Sequence, residues 1–288
     1  MIVIKRQCPA KINIFLKVVG KRADGYHELE SLITLIDLYD ILEVAQSTDF
    51  KMEIDGEFAK LVDPTNNLLT KILDYFALHF KVSKNLNIKL TKNILVGAGL
   101  GGGSSDAATF LQILNEIYAL NLTTKELQDI SLIFGSDISF FLAQEPAIIR
   151  GRGEIVLKYQ KFPAIPVLLV SPNIAVSTKE VFSRFKGELA SKHSNITLLQ
   201  SNILDMMEFE NDLEAAAIEV CPEIATVINI LKENQARLVK MSGSGSACFA
   251  IFNNSGNIQK TASFIEQNFP HFFAKPIKII TNAKITVD

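Results

Sequence analysis

From Lys11 to Val18 polar and apolar residues alternate: Lys11, Asn13, Phe15 and Lys17 on one face, Ile12, Ile14, Leu16 and Val18 on the other. A period of two predicts a strand, and sets the Lys11 amine beside the Asn13 amide. The turn-rich "GKRADGYHEL" (20–29) follows, then "ESLITLIDLYDILEVAQ" with strand texture. In "NNLLTKILDYFALHF" (66–80), Leu68, Ile72, Leu73, Phe76 and Phe80 recur at helical spacing, and "NLNIKLTKNI" (85–94) alternates again. A second apolar stripe, Ala107, Phe110, Leu111, Leu114, Ile117 and Tyr118, predicts a longer helix. A capping box, Thr123 to Glu126, opens the next helix, which Gly135 ends. "SDISFFLAQ" (136–144) and a short strand "AIIRGRGE" (147–154) come before a change of texture at 156–166, read as a connection. Beyond it strands ("VLLVSP", "RLVKMS", "ACFAIF", "IKIIT") mix with helices ("NDLEAAAIEVCPEIATVINILKEN"). The pattern predicts two α+β domains, residues 1–155 and 156–288.

Composition narrows the functional classes. The 288 residues carry a formal charge of −2 with no dense Lys/Arg cluster, so a nucleic-acid partner is not expected. No run approaches the roughly 18 uninterrupted apolar residues of a membrane span. Lys11, Asn13 and Lys17 interrupt the apolar N-terminal stretch, and no A-x-A site follows, which argues against a signal peptide. Cys8, Cys221 and Cys248 lie far apart without metal-type spacing, which fits a reducing, cytoplasmic location. Small molecules are the expected partners; no protein partner is evident.

The densest signal is "VGAGLGGGSSDAA" (96–108), where five of the 15 glycines fall within seven positions. Glycines let successive N–H groups converge on one point, and Ser104, Ser105 and Asp106 stand where a helix N-terminus should start. Such a nest feeding a helix is a phosphate site. A flexible turn explains two glycines but not five. No Lys-Ser/Thr follows, so this is not a Walker A loop. Gly97-x-Gly99-x-x-Gly102 satisfies the dinucleotide pattern, but the region some 20 residues on is still helical and lacks the acidic strand end that a Rossmann unit needs.

Other residues are ambiguous on spacing alone. Asp137 reads equally as a helix N-cap or as a site carboxylate. Lys11 reads as a solvated strand lysine, Tyr26 and His27 as packing below a turn, Phe182 as core. "SGSGS" (242–246), between two strands, reads as a tight hairpin or as a functional loop.

Together these segments resemble the galactokinase, homoserine kinase, mevalonate kinase and phosphomevalonate kinase (GHMP) superfamily, whose second motif is similar to the glycine loop. "CPAKINIFLKVVGKRADGYHELESL" (8–32), "FGSDISFFL" (134–142), "RGRGE" (150–154), "NDLE" (211–214) and "MSGSGSACFA" (241–250) resemble, in order, the branch whose acceptor is 4-diphosphocytidyl-2-C-methyl-D-erythritol. The resemblance implies a two-domain α+β fold: a ribosomal protein S5 domain 2-like N-terminal domain, a ferredoxin-like C-terminal domain and an active site in the cleft between them. It implies ATP-dependent phosphorylation of the acceptor's 2-hydroxyl, in non-mevalonate isoprenoid precursor synthesis. Lys11 and Asp137 become the catalytic pair. Leu95, Val96, Gly97, Ala98, Gly99, Leu100, Gly101, Gly102, Gly103, Ser104 and Ser105 bind ATP. Asn13, Tyr26, His27, Thr178 and Phe182 meet the substrate, with Tyr26 and Phe182 sandwiching cytosine and His27 reading its edge. Mg²⁺ accompanies the nucleotide near Ser105. Leu95 replaces the family's usual proline, which loosens the loop's entry but spares the amide nest. Bulk at Ala98 or Gly101 is expected to block ATP without unfolding the chain. The rivals are another kinase of the superfamily, against which Tyr26 and His27 speak, and an inactive nucleotide-binding relative, against which the joint presence of Lys11 and Asp137 speaks.

Overall fold

A computed structural model describes residues 3–23, 25–159, 163–187 and 208–280. Its backbone is a long antiparallel hairpin, β1 (Val3–Lys21) with β2 (His27–Gln46). The other edge of β2 takes three partners in succession: β5 (Ala147–Gly151), β10 (Phe273–Ile280) and β4 (Leu86–Thr91). β3 (Lys51–Asp55) lies parallel to β4, so α1 (Leu68–Phe80) between them is a crossover. A second antiparallel group, β7 (Pro166–Ser171), β9 (Cys248–Ile251) and β8 (Leu238–Met241), continues from β10.

The alternation in β1 breaks at an irregularity. Asn13 pairs with Ile33, but Phe15 pairs with Leu32, so Ile14 is an extra residue on this strand. Parity flips there. Lys11, Asn13 and then Leu16 line one cavity, while Phe15, expected beside Lys11, is buried with Ala10, Ile12 and Ile14. A β-bulge is invisible to a period-two reading, which explains the misplacement of Phe15.

Four layers result. α1, α2 (Gly102–Ile117), α3 (Thr124–Ser131) and α4 (Ile138–Ala143) cover one face of the first sheet, through Leu69, Ile72, Phe76, Phe110 and Leu114. A second core, with Ile12, Ile36, Leu169, Phe249 and Ile277, lies between the two sheets. The far side of the second sheet is covered by α5 (Thr178–Arg184), α6 (Glu214–Val220), α7 (Glu223–Glu233) and α8 (Ser255–Asn268). The stretch read as a connection from 156 starts as a strand, β6 (Ile155–Lys158), which folds back on β5. All three cysteines are buried, free thiols, and no helix among the described residues is long and apolar enough to cross a membrane.

Candidate active site

The glycine loop leads into α2, but the helix starts earlier than Ser104. Gly101, at φ 70°, is its N-cap, so Gly102 and Gly103 fall in the first turn. Each loop carbonyl from 97 to 101 has its own donor. Val176 N–H reaches Gly97 O at 2.8 Å, Ala247 N–H reaches Ala98 O at 3.1 Å, and Ser242 Oγ reaches Gly99 O at 3.0 Å. Lys11 N–H takes Leu100 O at 3.0 Å and Ser105 N–H takes Gly101 O at 2.9 Å. The amides of Gly97 to Ser104 donate to no acceptor among the described residues. Tying the carbonyls inward leaves the N–H groups at a helix N-terminus for an anion. The entry to the loop is tied as well: an Asp40 carboxylate oxygen accepts from Asn93 N–H at 2.6 Å and Ile94 N–H at 2.8 Å, and Leu95 is buried. The loosening expected from Leu95 is therefore not found.

A Cβ on Gly99 would stand 2.1 Å from the Ser242 carbonyl oxygen, and one on Gly101 2.8 Å from the Phe141 ring and 3.1 Å from Lys11 Cγ. Ala98 is itself buried in the core between the sheets. Bulk at Ala98 or Gly101 thus disrupts packing before it meets any nucleotide, contrary to expectation. Of the loop's five glycines, only Gly103 opens into free space.

These elements surround a cavity of about 490 Å³ whose wall includes Lys11, Asn13, the loop from Leu95 to Ser104, Asp137, Thr178 and Phe182. Lys11 is 4% exposed and donates to Asn13 Oδ1. Asn13 Nδ2 in turn donates to Ser31 Oγ at 2.7 Å, and Asn13 N–H to Ser242 Oγ at 3.3 Å. Burial lowers the Lys11 pKa, and the negative charge of Asp137 opposes that fall. Asp137 occupies the N-cap position of α4 but makes no capping hydrogen bond, so its exposed carboxylate is left to face the cavity. Of the two readings of Asp137, the capping one finds no bond to support it.

A buried charge cluster beneath the loop has no counterpart in the sequence reading. Lys92 Nζ donates to Asp40 Oδ2 and, at 2.7 Å, to Asp106 Oδ2. The three residues are all under 5% exposed, and Asp106 Oδ1 lacks a hydrogen-bond partner. Burial pushes the Asp106 carboxyl up to about 7 against the pull of Lys92, with the Asp40 charge adding to the rise. Ser105 Oγ is also buried and unpartnered, and Ser105 is not on the cavity wall.

At the opposite end the aromatic residues are arranged differently from the expected sandwich. His27 stacks directly on Phe182, with centroids 5.0 Å apart and planes 19° from parallel, and Phe185 meets His27 edge-on at 6.0 Å. A base between two rings needs roughly 7 Å, two contact layers of about 3.5 Å each, so these rings are closed on each other. Neither Tyr26 nor His27 lines the cavity; Tyr26 is 59% exposed, with the Arg152 guanidinium 4.9 Å over its ring. "SGSGS" joins β8 to β9 as a hairpin, and it packs on the glycine loop through Ser242 Oγ and on Thr178 through Ser244 Oγ, 2.9 Å from Thr178 Oγ1. "NDLE" anchors that hairpin, because Asn211 Nδ2 donates to Met241 O at 2.9 Å and Gly243 O at 2.8 Å.

An amide-lined loop at a helix start, with a buried lysine and an exposed carboxylate across one cavity, is the arrangement of a small-molecule phosphotransferase. The family model for the GHMP kinases N terminal domain matches residues 67–145, and that for the GHMP kinases C terminal domain matches 188–271. The 4-diphosphocytidyl-2-C-methyl-D-erythritol kinase of Thermodesulfovibrio yellowstonii is 38% identical over 89% of this chain and 92% of that protein. The enzyme of the same name from Chelativorans sp. is 33% identical over 94% of this chain and 95% of its own. A crystal structure of 4-(cytidine 5'-diphospho)-2C-methyl-D-erythritol kinase superposes with TM-score 0.77 at 27% identity, covering 96% of this chain and all of that one. Homoserine kinase from Cytophaga hutchinsonii shares the fold, at TM-score 0.71 and 16% identity over 99% of this chain and 97% of that one. The chain belongs to the GHMP kinases, and within them to the 4-diphosphocytidyl-2-C-methyl-D-erythritol kinase family. It is accordingly an ATP-dependent kinase.

Proposed function

We propose that this kinase transfers the γ-phosphoryl group of ATP to the 2-hydroxyl of 4-diphosphocytidyl-2-C-methyl-D-erythritol, a step toward isoprenoid precursors. The observation that carries the reading is the shared cavity of the free loop amides, Lys11 and the uncapped Asp137 carboxylate. In this reading the amides from Gly97 to Ser104 cradle the nucleotide phosphates. A carboxylate is far too weak a base to deprotonate an alcohol outright, since an alcohol is about as weak an acid as water, roughly 15.7. It need not, because in a loose phosphoryl-transfer transition state the proton leaves late. Asp137 orients the acceptor hydroxyl and receives its proton; Lys11, fixed by Asn13, holds that carboxylate and offsets developing charge. Tyr26, His27, Thr178 and Phe182 form the cytidyl end, where the His27–Phe182 stack parts to admit the base. A division at 155/156 would cut β6, which pairs with β5, so the proposed boundary falls after that strand; it puts the glycine loop and Asp137 in one domain, Thr178 and Phe182 in the other, with the cavity between.

Mg²⁺ supplies charge neutralisation to the transferring phosphates when bound. Ser105 does not fit as its ligand, since its hydroxyl is shut away from the cavity, and the described residues offer no group of three or more His, Cys, Asp or Glu able to hold a metal. The ion is proposed to arrive on the nucleotide.

The test is ATP turnover with the cytidyl substrate beside mevalonate, homoserine and galactose. The cytidyl substrate alone should be phosphorylated, and Asp137→Asn should lower kcat by about 10²–10⁴ with ATP affinity little changed. Equal turnover of mevalonate or homoserine would reassign the substrate.

A further inference from the structure

Three cations stand on the cavity wall: Lys11, Lys92 and Arg152. Lys92 is held by two carboxylates, and Lys11 is bonded to Asn13 under the influence of Asp137. The Arg152 guanidinium has no anionic partner among the described residues; its one contact is the face of Tyr26. An arginine presents five donors in a plane and stays charged at every working pH, a set suited to phosphate oxygens.

The backbone beneath it is fixed. Arg152 sits in the turn between β5 and β6, where its N–H donates to Glu154 Oε2 at 2.5 Å. Glu154 is also paired with Arg22 at 3.6 Å, so it anchors the turn without pairing with the Arg152 guanidinium. The next residue, Gly153, packs so close to Ser136 that a Cβ would meet that side chain at 2.9 Å. Arg152 is therefore attached at the turn holding Asp137, the acceptor end, while its guanidinium reaches the ring of Tyr26, the cytidyl end. What joins the acceptor alcohol to the cytidine in the proposed substrate is a diphosphate.

We propose that Arg152 is a specificity-determining residue that binds the diphosphate of the acceptor substrate, with Tyr26 holding the guanidinium in place. The inference rests on the function proposed above. It separates this substrate from acceptors of the same fold family that lack a diphosphate next to a base.

The experiment measures binding of cytidine, CMP and CDP to the full chain by calorimetry, with steady-state kinetics, for the wild type, Arg152→Gln and Arg152→Lys. Arg152→Gln should weaken CDP about tenfold to a hundredfold, the range of a lost charged hydrogen bond, and leave cytidine unchanged. The KM for the cytidyl diphosphate substrate should rise by the same factor while kcat and the KM for ATP hold. Arg152→Lys should recover part of the loss, as a point charge replaces the fork. Equal weakening of cytidine and CDP would make Arg152 a prop for Tyr26 and overturn the proposal, as would wild-type behaviour of Arg152→Gln. A wild type that neither binds CDP nor turns over the cytidyl substrate would instead refute the function proposed for the chain.

Discussion

Gly101 and Gly103 stand two residues apart, yet a side chain does opposite things at each. At Gly101 it meets Phe141 and Lys11 on a backbone of φ 70°, where L residues are strained. At Gly103 it meets nothing within 4 Å, at the exposed position of the first turn of α2 and on the cavity wall. Replacing a helical glycine with a side chain stabilises by roughly 0.5–1 kcal/mol, and an acidic group near a helix N-terminus adds about 0.3–1 kcal/mol. Gly103→Glu should therefore raise the melting temperature of the free protein. It also sets a carboxylate among the amides proposed for phosphate, so ATP affinity should fall about tenfold or more, roughly 1.4 kcal/mol per decade. Stability and affinity move in opposite directions, which calorimetry and thermal melts read separately. Gly101→Ala should lower stability first. Unchanged ATP affinity in Gly103→Glu would remove the first turn of α2 from the nucleotide site.

The elements that carry the site are joined by buried charge. Lys92 directly follows β4, Asp40 lies on β2 and Asp106 on α2, so the cluster fixes the loop's two ends to the first sheet. Two carboxylates on one lysine leave a net negative charge, and the folded Asp106 carboxyl is raised from 3.8 to about 7. A carboxyl raised in the folded state binds its proton more tightly there than when unfolded. Its contribution is thus fully present below about pH 4 and is lost as pH rises toward 7. Asp106→Asn keeps the shape and removes the titration, so denaturation curves from pH 4.5 to 7.5 should lose that downward slope whatever happens to their absolute level. An unchanged slope would mean that Asp106 is ionised throughout. Elements also mark how far the sequence could be read. The glycine loop was legible because its constraint is local: amides can converge only where side chains are absent. Lys11 beside Asn13 followed from alternation, which held up to the bulge at Ile14 and failed after it for Phe15. The Asp40–Lys92–Asp106 cluster was illegible, since it joins positions up to 66 residues apart whose only signal is charge at apolar depth. Arg152 stands in the "RGRGE" motif, but its place on the cavity wall comes from the β5–β6 turn, which spacing does not reveal.

At the scale of the whole molecule, the two sheets meet along a seam at the end of β10. Among the described residues, β10 belongs to the second sheet over Phe273–Lys278 and pairs with β2 through Ile279 with Ile36 and Ile280 with Leu35. The core between the sheets closes over that seam. Three of the donors that tie the loop carbonyls, Val176, Ser242 and Ala247, come from the second half of the chain. The amide nest therefore exists in this form only when both halves are docked. Unfolding should follow as a single cooperative transition in calorimetry, and ATP at 100 times its Kd should raise the whole transition by about 2.7 kcal/mol. Ile279→Asp tests the coupling without touching a cavity residue: Ile279 is fully buried, and a charge there has no partner in an apolar seam. It should lower stability and, at temperatures where the chain is still folded, weaken ATP as well. Two separate transitions, with only the first sensitive to ATP and neither altered by Ile279→Asp, would show halves that fold independently and a loop that needs no help from the second sheet.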